Sequence, residues 1–130
     1  MGRPVRIVLD TSAVIDPPSR NLDAELAVSA ITMAELHYGV LVARDDAQRA
    51  ARLHRLLVLE REFDPLPVDV AVAAAYGRLA AAVRLQGKTP RSRSLDLLIA
   101  ATAVANDASL ATRNPSDLAD LASLVDIVAV

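Results

Sequence analysis

Val5-Arg6-Ile7-Val8-Leu9-Asp10-Thr11-Ser12 decides how the rest of the chain is read. Val5, Ile7, Val8 and Leu9 are apolar and mostly β-branched, and the run stops on a carboxylate followed by two hydroxyls. A short apolar run of this kind predicts a strand buried on both faces. Asp10 then stands at the carboxyl end of that strand, where open α/β sheets form their ligand crevices. The chemistry turns on whether acids from later in the chain meet it there.

The chain has 130 residues, 53% of them hydrophobic and only 2% aromatic. That length fits one domain, residues 1-130, with a core built from Ala, Val, Leu and Ile. A net charge of −2 excludes a wholesale electrostatic nucleic-acid binder, so any such contact needs a local basic patch. Without cysteine there is no disulfide, thiolate nucleophile or cysteine-ligated zinc. Arg3, Pro4 and Arg6, with Asp10 soon after, argue against a signal peptide. No apolar run reaches the roughly 18–20 residues of a membrane span. A soluble, cytoplasmic protein is expected.

Outward from the first strand, the pattern alternates. Thr11 to Ile15 opens a short helix that Pro17-Pro18-Ser19 breaks, and Leu26 to Ser29 predicts a second strand. Helical spacing begins near Thr32, where Thr32-Met33-Ala34-Glu35 has the form of a capping box. Asp45-Asp46 starts another helix, with Leu53, Leu56 and Leu57 as its apolar stripe and Arg49, Arg52 and Arg55 on a solvated face. Phe63 to Pro67 reads as a third strand or extended segment. Asp69 caps a helix from Val70 to Leu85 that Gly87 stops. After a basic loop, a helix carrying Asp96 in its first turn runs to about Asn106. Ser109 to Thr112 is a strand, Asn114 to Asp117 turns into a short helix, and Leu124 to Val128 is the last strand. Strands alternating with helices predict an α/β fold with a mainly parallel sheet, while the strand order stays open.

Asp10, Glu35, Asp96 and Asp117 are the acids that such a fold can gather. Asp10 and Asp117 follow strands, and Glu35 and Asp96 lie in first turns of helices, so one crevice can receive all four. Crowded carboxylates require a cation, and an oxygen-only donor set favours Mg²⁺ or Mn²⁺. Such a site suits phosphodiester hydrolysis. Each acid also has a plainer role. Asp10 and Asp117 can simply cap helices, Glu35 can close the box with Thr32, and Asp96 can be a favourable anion at a helix start. His37 and His54 lack ligand spacing. The loop with Lys88, Arg91 and Arg93 can be a solvated turn or, together with Arg113, a guide for a phosphate backbone.

The conjunction of Val8-Leu9-Asp10-Thr11-Ser12, Ser29 to Leu36 with Gly39 after it, Asp96 to Ala103, and Thr112 to Leu118 resembles the PIN-domain ribonucleases, specifically the VapC-type toxins of bacterial toxin–antitoxin pairs. The likeness spans nearly the whole chain. It implies a three-layer α/β/α domain with a mainly parallel sheet of about four to five strands. It also implies a Mg²⁺-dependent endoribonuclease (Mn²⁺ serving as well) that leaves a 5′-phosphate and a 3′-hydroxyl. By the same resemblance Asp10 and Asp96 are metal ligands, Glu35 and Asp117 the other catalytic acids, and Thr11, Ser12, Thr112 and Asn114 supporting residues. The implied partners are RNA, a second copy of the chain and a VapB-type antitoxin. Leu118 departs from the aromatic residue of many members. The alternative from another class is a catalytically inactive PIN-like binding module acting through a protein partner. A haloacid-dehalogenase-like phosphatase wants Asp where Ser12 stands, and a receiver domain wants an acid pair absent from the first strand.

Overall fold

The computed structural model describes residues 5–130; Arg3 and Pro4 lie outside the described residues. Four strands, β1 (Arg6–Leu9), β2 (Glu25–Val28), β3 (Ser109–Thr112) and β4 (Ile127–Ala129), form an all-parallel sheet in the order β2-β1-β3-β4. The helices are α1 (Thr11–Ile15), α2 (Ala30–Leu41), α3 (Asp46–Glu62), α4 (Val70–Leu85) and α5 (Ser94–Ala105), with 3₁₀ segments at Pro90–Arg93 and Pro115–Leu121. They cover both faces of the sheet, giving three α/β/α layers.

The apolar run that opens the chain explains this arrangement. Val8 packs with Leu110 against α4 and α5, while Ile7 and Leu9 pack with Val28 and Ala111 against α1, α2 and α3. Alternate side chains of one strand therefore serve two cores, as a strand buried on both faces must. α5 is buried almost all round, and Ala100, Ala101 and Ala103 let sheet and α4 approach it closely. Facing it, α4 buries Val72, Ala75, Leu79 and Val83 at helical spacing. Burial of Val72, Leu79 and Val83 contributes about 5–9 kcal/mol before chain entropy is charged. Asp69 caps α4 by accepting from the Val72 amide, and Gly87 at φ 78° takes the left-handed turn after it.

Three local readings are corrected, and the stretch from Phe63 to Pro67 takes the extended form rather than that of a full strand. Ser29, not Thr32, caps α2, its Oγ accepting from the Ile31 amide at 3.0 Å. Thr32 is fully buried one turn later, so no capping box with Glu35 forms. The inner face of α3 is Leu56 and Leu59, whereas Leu53 and Leu57 are exposed. Arg52 reaches inward and donates to the Gly39 carbonyl at 2.6 Å. Between Phe63 and Pro67 only Leu66 pairs, bridging β2's end through Val28 and Ala30, because Pro65 and Pro67 lack amide donors. The last strand begins at Ile127, since the amides of Leu124 and Val125 both turn back to the Leu121 carbonyl.

Candidate active site

β1 is the first strand of the chain, and its neighbours are β2 on one side and β3 on the other. That is a switch point, and the loops leaving β1 and β3 part there to open a crevice. The Asp10 amide extends the ladder by donating to the Ala111 carbonyl at 3.0 Å, which seats Asp10 beside Thr112. A cleft of about 90 Å³ results, lined by Asp10, Thr11, Ser12, Asp96, Thr112, Asn114 and Asp117 over a floor of Ile99, Leu110 and Leu118. Several waters or a hydrated ion fit such a volume.

Asp10 lines the cleft and also takes the capping role its sequence allowed. Its Oδ1 caps α1 by accepting from the Ala13 amide at 3.0 Å and accepts from Ser12 Oγ at 2.6 Å. Ser12 Oγ in turn accepts from the Arg113 amide at 3.1 Å and lies 3.4 Å from Thr112 Oγ1. Thr112 Oγ1 accepts from the Asn114 amide at 3.0 Å. These two hydroxyls thus stitch the end of β1 to the end of β3.

Asp96 stands in the first turn of α5, and its side chain makes no hydrogen bond or ion pair among the described residues. Burial raises its pKa, and the charges of Asp10 and Asp117 raise it further against the lowering effect of Arg93. Asp96 is therefore close enough to Asp10 and Asp117 to feel the charge of each. As the side chains stand, however, no group of three His, Cys, Asp or Glu among the described residues has the spacing to hold a metal ion.

Glu35 is not on the cleft wall. It sits behind Thr11, whose Oγ1 donates to Glu35 Oε1 at 2.7 Å and lies 3.2 Å from Thr32 Oγ1. Lys88 and Arg93 are held by Asp120, at 3.3 Å and 2.6 Å. The Arg113 guanidinium donates to the carbonyls of Asp16, Pro17 and Val130, each at 2.8 Å. Arg91 is exposed, and its side chain has no polar partner among the described residues. His37 pairs with Glu60 at 3.2 Å, joining α2 to α3 away from the cleft.

Sequence reasoning missed Asp120. The one available signal was indirect: a loop with Lys88, Arg91 and Arg93 carries no acid of its own and needs an anion from elsewhere.

The sequence profile of the PIN domain matches residues 7–124. Ribonuclease VapC8 of Mycobacterium tuberculosis is 40% identical over 100 residues, covering 74% of this chain and 88% of that protein. Ribonuclease VapC4 of the same organism is 34% identical over 128 residues, covering 94% and 93%. Among solved structures, a crystal structure of a member of the VapBC family of toxin–antitoxin systems, VapBC-5 from M. tuberculosis, superposes with a TM-score of 0.86 at 35% identity. That match covers 98% of this chain and all of the other.

Proposed function

The chain belongs to the PIN-domain family and within it to the VapC ribonucleases, and from that premise we propose that it is a metal-dependent endoribonuclease, the toxin of a toxin–antitoxin pair that inhibits translation and growth. One observation carries the reading: acids from one strand end and two helix starts, Asp10, Asp96 and Asp117, line one small cleft at the sheet's switch point.

The donor set fits a hard divalent ion. Every candidate ligand is an oxygen, and the mutual repulsion that weighs on Asp96 is relieved by a cation, so Mg²⁺ or Mn²⁺ is the group these residues suit. Asp10 and Asp96 would hold it, with Asp117 beside them. When bound, such an ion supplies charge neutralisation at the attacked phosphate and lowers the pKa of a water. The chain's own part is orientation. Ser12 and Thr112 fix the Asp10 carboxylate, Thr11 carries the influence of Glu35 to the cleft wall, and Asn114 marks its edge. Arg91, without a polar partner among the described residues and on the turn leading into α5, can meet a phosphate without breaking existing bonds.

Solved relatives are VapBC complexes, which supports a VapB-type antitoxin as partner. A second, mainly apolar groove of about 580 Å³, with Val14, Leu22, Leu59 and Phe63 on its floor and the polar side chains of Arg20, Arg55 and Glu62 also lining it, is the surface we assign to it. The alternative of a non-catalytic binding module draws on the absence of a ready three-acid cluster among the described residues. Cleavage of a fluorescent RNA by purified protein separates the two. Catalysis predicts Mn²⁺-dependent product that EDTA abolishes and that Asp10→Asn loses while keeping its far-UV circular dichroism. An intact Asp10→Asn activity sinks the site assignment, and a wild type that neither cleaves RNA nor binds Mn²⁺ by calorimetry sinks the function.

A further inference from the structure

We infer that Arg93, with Asp120, is a positioning residue that fixes Asp117 against the start of α5, and that it does not contact the RNA. The inference rests on the ribonuclease reading of the cleft. Arg93 closes the Pro90–Arg93 turn three residues before Asp96, and its side chain is only 18% exposed. Its guanidinium grips Asp120 with two nitrogens, Nη1 to Oδ2 at 2.6 Å and Nη2 to Oδ1 at 3.2 Å. Nη2 also donates to the backbone carbonyl of Asp117 at 2.8 Å. Asp117 is thus tethered through its own main chain by the residue that leads into the helix bearing Asp96.

Asp120 is the hub of this clamp. Its side chain is 8% exposed, and it accepts from Lys88 Nζ at 3.3 Å as well as from Arg93. Its backbone carbonyl accepts from Gln86 Nε2 at 3.0 Å. The segment 86–93 and the Pro115–Leu121 3₁₀ helix therefore meet on one carboxylate. Two-point arginine–carboxylate pairs are among the stronger and most directional polar contacts. An arginine so engaged would surrender three hydrogen bonds and leave a nearly buried acid with only the longer Lys88 contact if it turned to a phosphate. Arg91, two residues earlier, pays no such penalty.

Arg93→Ala, Arg93→Lys and Asp120→Asn separate positioning from RNA contact, because Asp120 cannot itself attract a phosphate. Positioning predicts that Arg93→Ala and Asp120→Asn each lower kcat at saturating Mn²⁺ by about tenfold or more, with KM for RNA changed less than about twofold. Arg93→Lys should recover part of the loss. Hydrogen exchange, read without RNA or metal, should quicken in peptides covering residues 115–121 and the 86–93 segment clamped to them, and not elsewhere in the chain. The inference is overturned if Arg93→Ala raises KM and flattens the salt dependence by about one phosphate contact while Asp120→Asn cleaves and exchanges like wild type. Exchange quickened uniformly marks an ordinary contribution to stability and overturns it equally. Should Arg93→Ala not fold, Arg93→Lys and Asp120→Asn are judged by the same criteria. If the wild type cuts no RNA, the ribonuclease reading fails by itself and the exchange of 115–121 and 86–93 alone decides the clamp.

Discussion

Ser12→Ala removes one oxygen on which the two central strands depend. In the wild type that oxygen donates to Asp10 Oδ1 at 2.6 Å and accepts from the Arg113 amide at 3.1 Å. A hydrogen bond to a carboxylate contributes about 1.5–3 kcal/mol, and an orphaned amide costs about 1–3 kcal/mol. Both groups are only half-buried, and water entering the cleft can replace part of what is lost, so the low end of each range applies. The expected destabilisation is about 2–3 kcal/mol, which for a chain of this size lowers Tm by roughly 6–12 °C. Thermal unfolding followed by circular dichroism measures it, with exchange at the Arg113 amide as a local check. Cleavage should fall as well, since the Asp10 carboxylate keeps only the Ala13 amide to orient it. A Tm within about 2 °C of wild type, together with an Arg113 amide as protected as before, would refute the bridge.

Asp96→Asn tests the electrostatics. Because burial and Asp10 raise the Asp96 pKa, its contribution to stability is full below the unfolded value and is lost as pH rises through the folded one. Metal-free Asp96→Asn should therefore melt above wild type at pH 7, with the gap closing toward about pH 3.5; a lower Tm at pH 7 contradicts the assignment. Asp120 has the opposite sign. The Arg93 hydrogen bond lowers its pKa, so the stability it contributes is present above the usual carboxylate value and fades as acid is added, a loss that Asp120→Asn should not show. Two glycines give a backbone control. Gly87→Ala meets no atom within 4 Å yet must hold φ at 78°, and should cost about 1–2 kcal/mol in urea unfolding. Gly77→Ala, exposed inside α4 with equally open space, should gain about 0.5–1 kcal/mol, and matching signs for the two would refute the conformational argument.

What the sequence made legible was local in origin. The run from Ile7 to Leu9 is apolar at every position, so its burial on both faces could be read without any partner. Asp69 and Gly87 bound α4 because caps depend on neighbours within a few residues. Asp10, Asp96 and Asp117 could be named because strand ends and helix starts fall together in parallel sheets; their meeting in one cleft follows from β1 and β3 being adjacent, which no local pattern specifies. The misread features were those decided at a distance. Glu35 left its expected partner for a hydroxyl 24 residues away, and Thr32 was drawn into the interior. Leu56 and Leu59 were chosen over Leu53 and Leu57 by where α3 lies on α2 and the sheet. Lys88 and Arg93 looked like a free basic loop because Asp120, the acid that holds them, is 27 residues beyond Arg93.

The pairing of β1 with β3 has a consequence for the ribosome. Residues 7–9 are made well before their central neighbours, residues 109–111, and the Ser12–Arg113 link spans 101 positions. A nascent polypeptide that stops short of β3 owns Asp10, Glu35 and Asp96 but has no strand to set them around. Long-range parallel pairing also forms slowly. The cleft that Asp10, Asp96 and Asp117 line therefore waits on β3: until residues 109–112 have been synthesised there is no switch point for these acids to gather at.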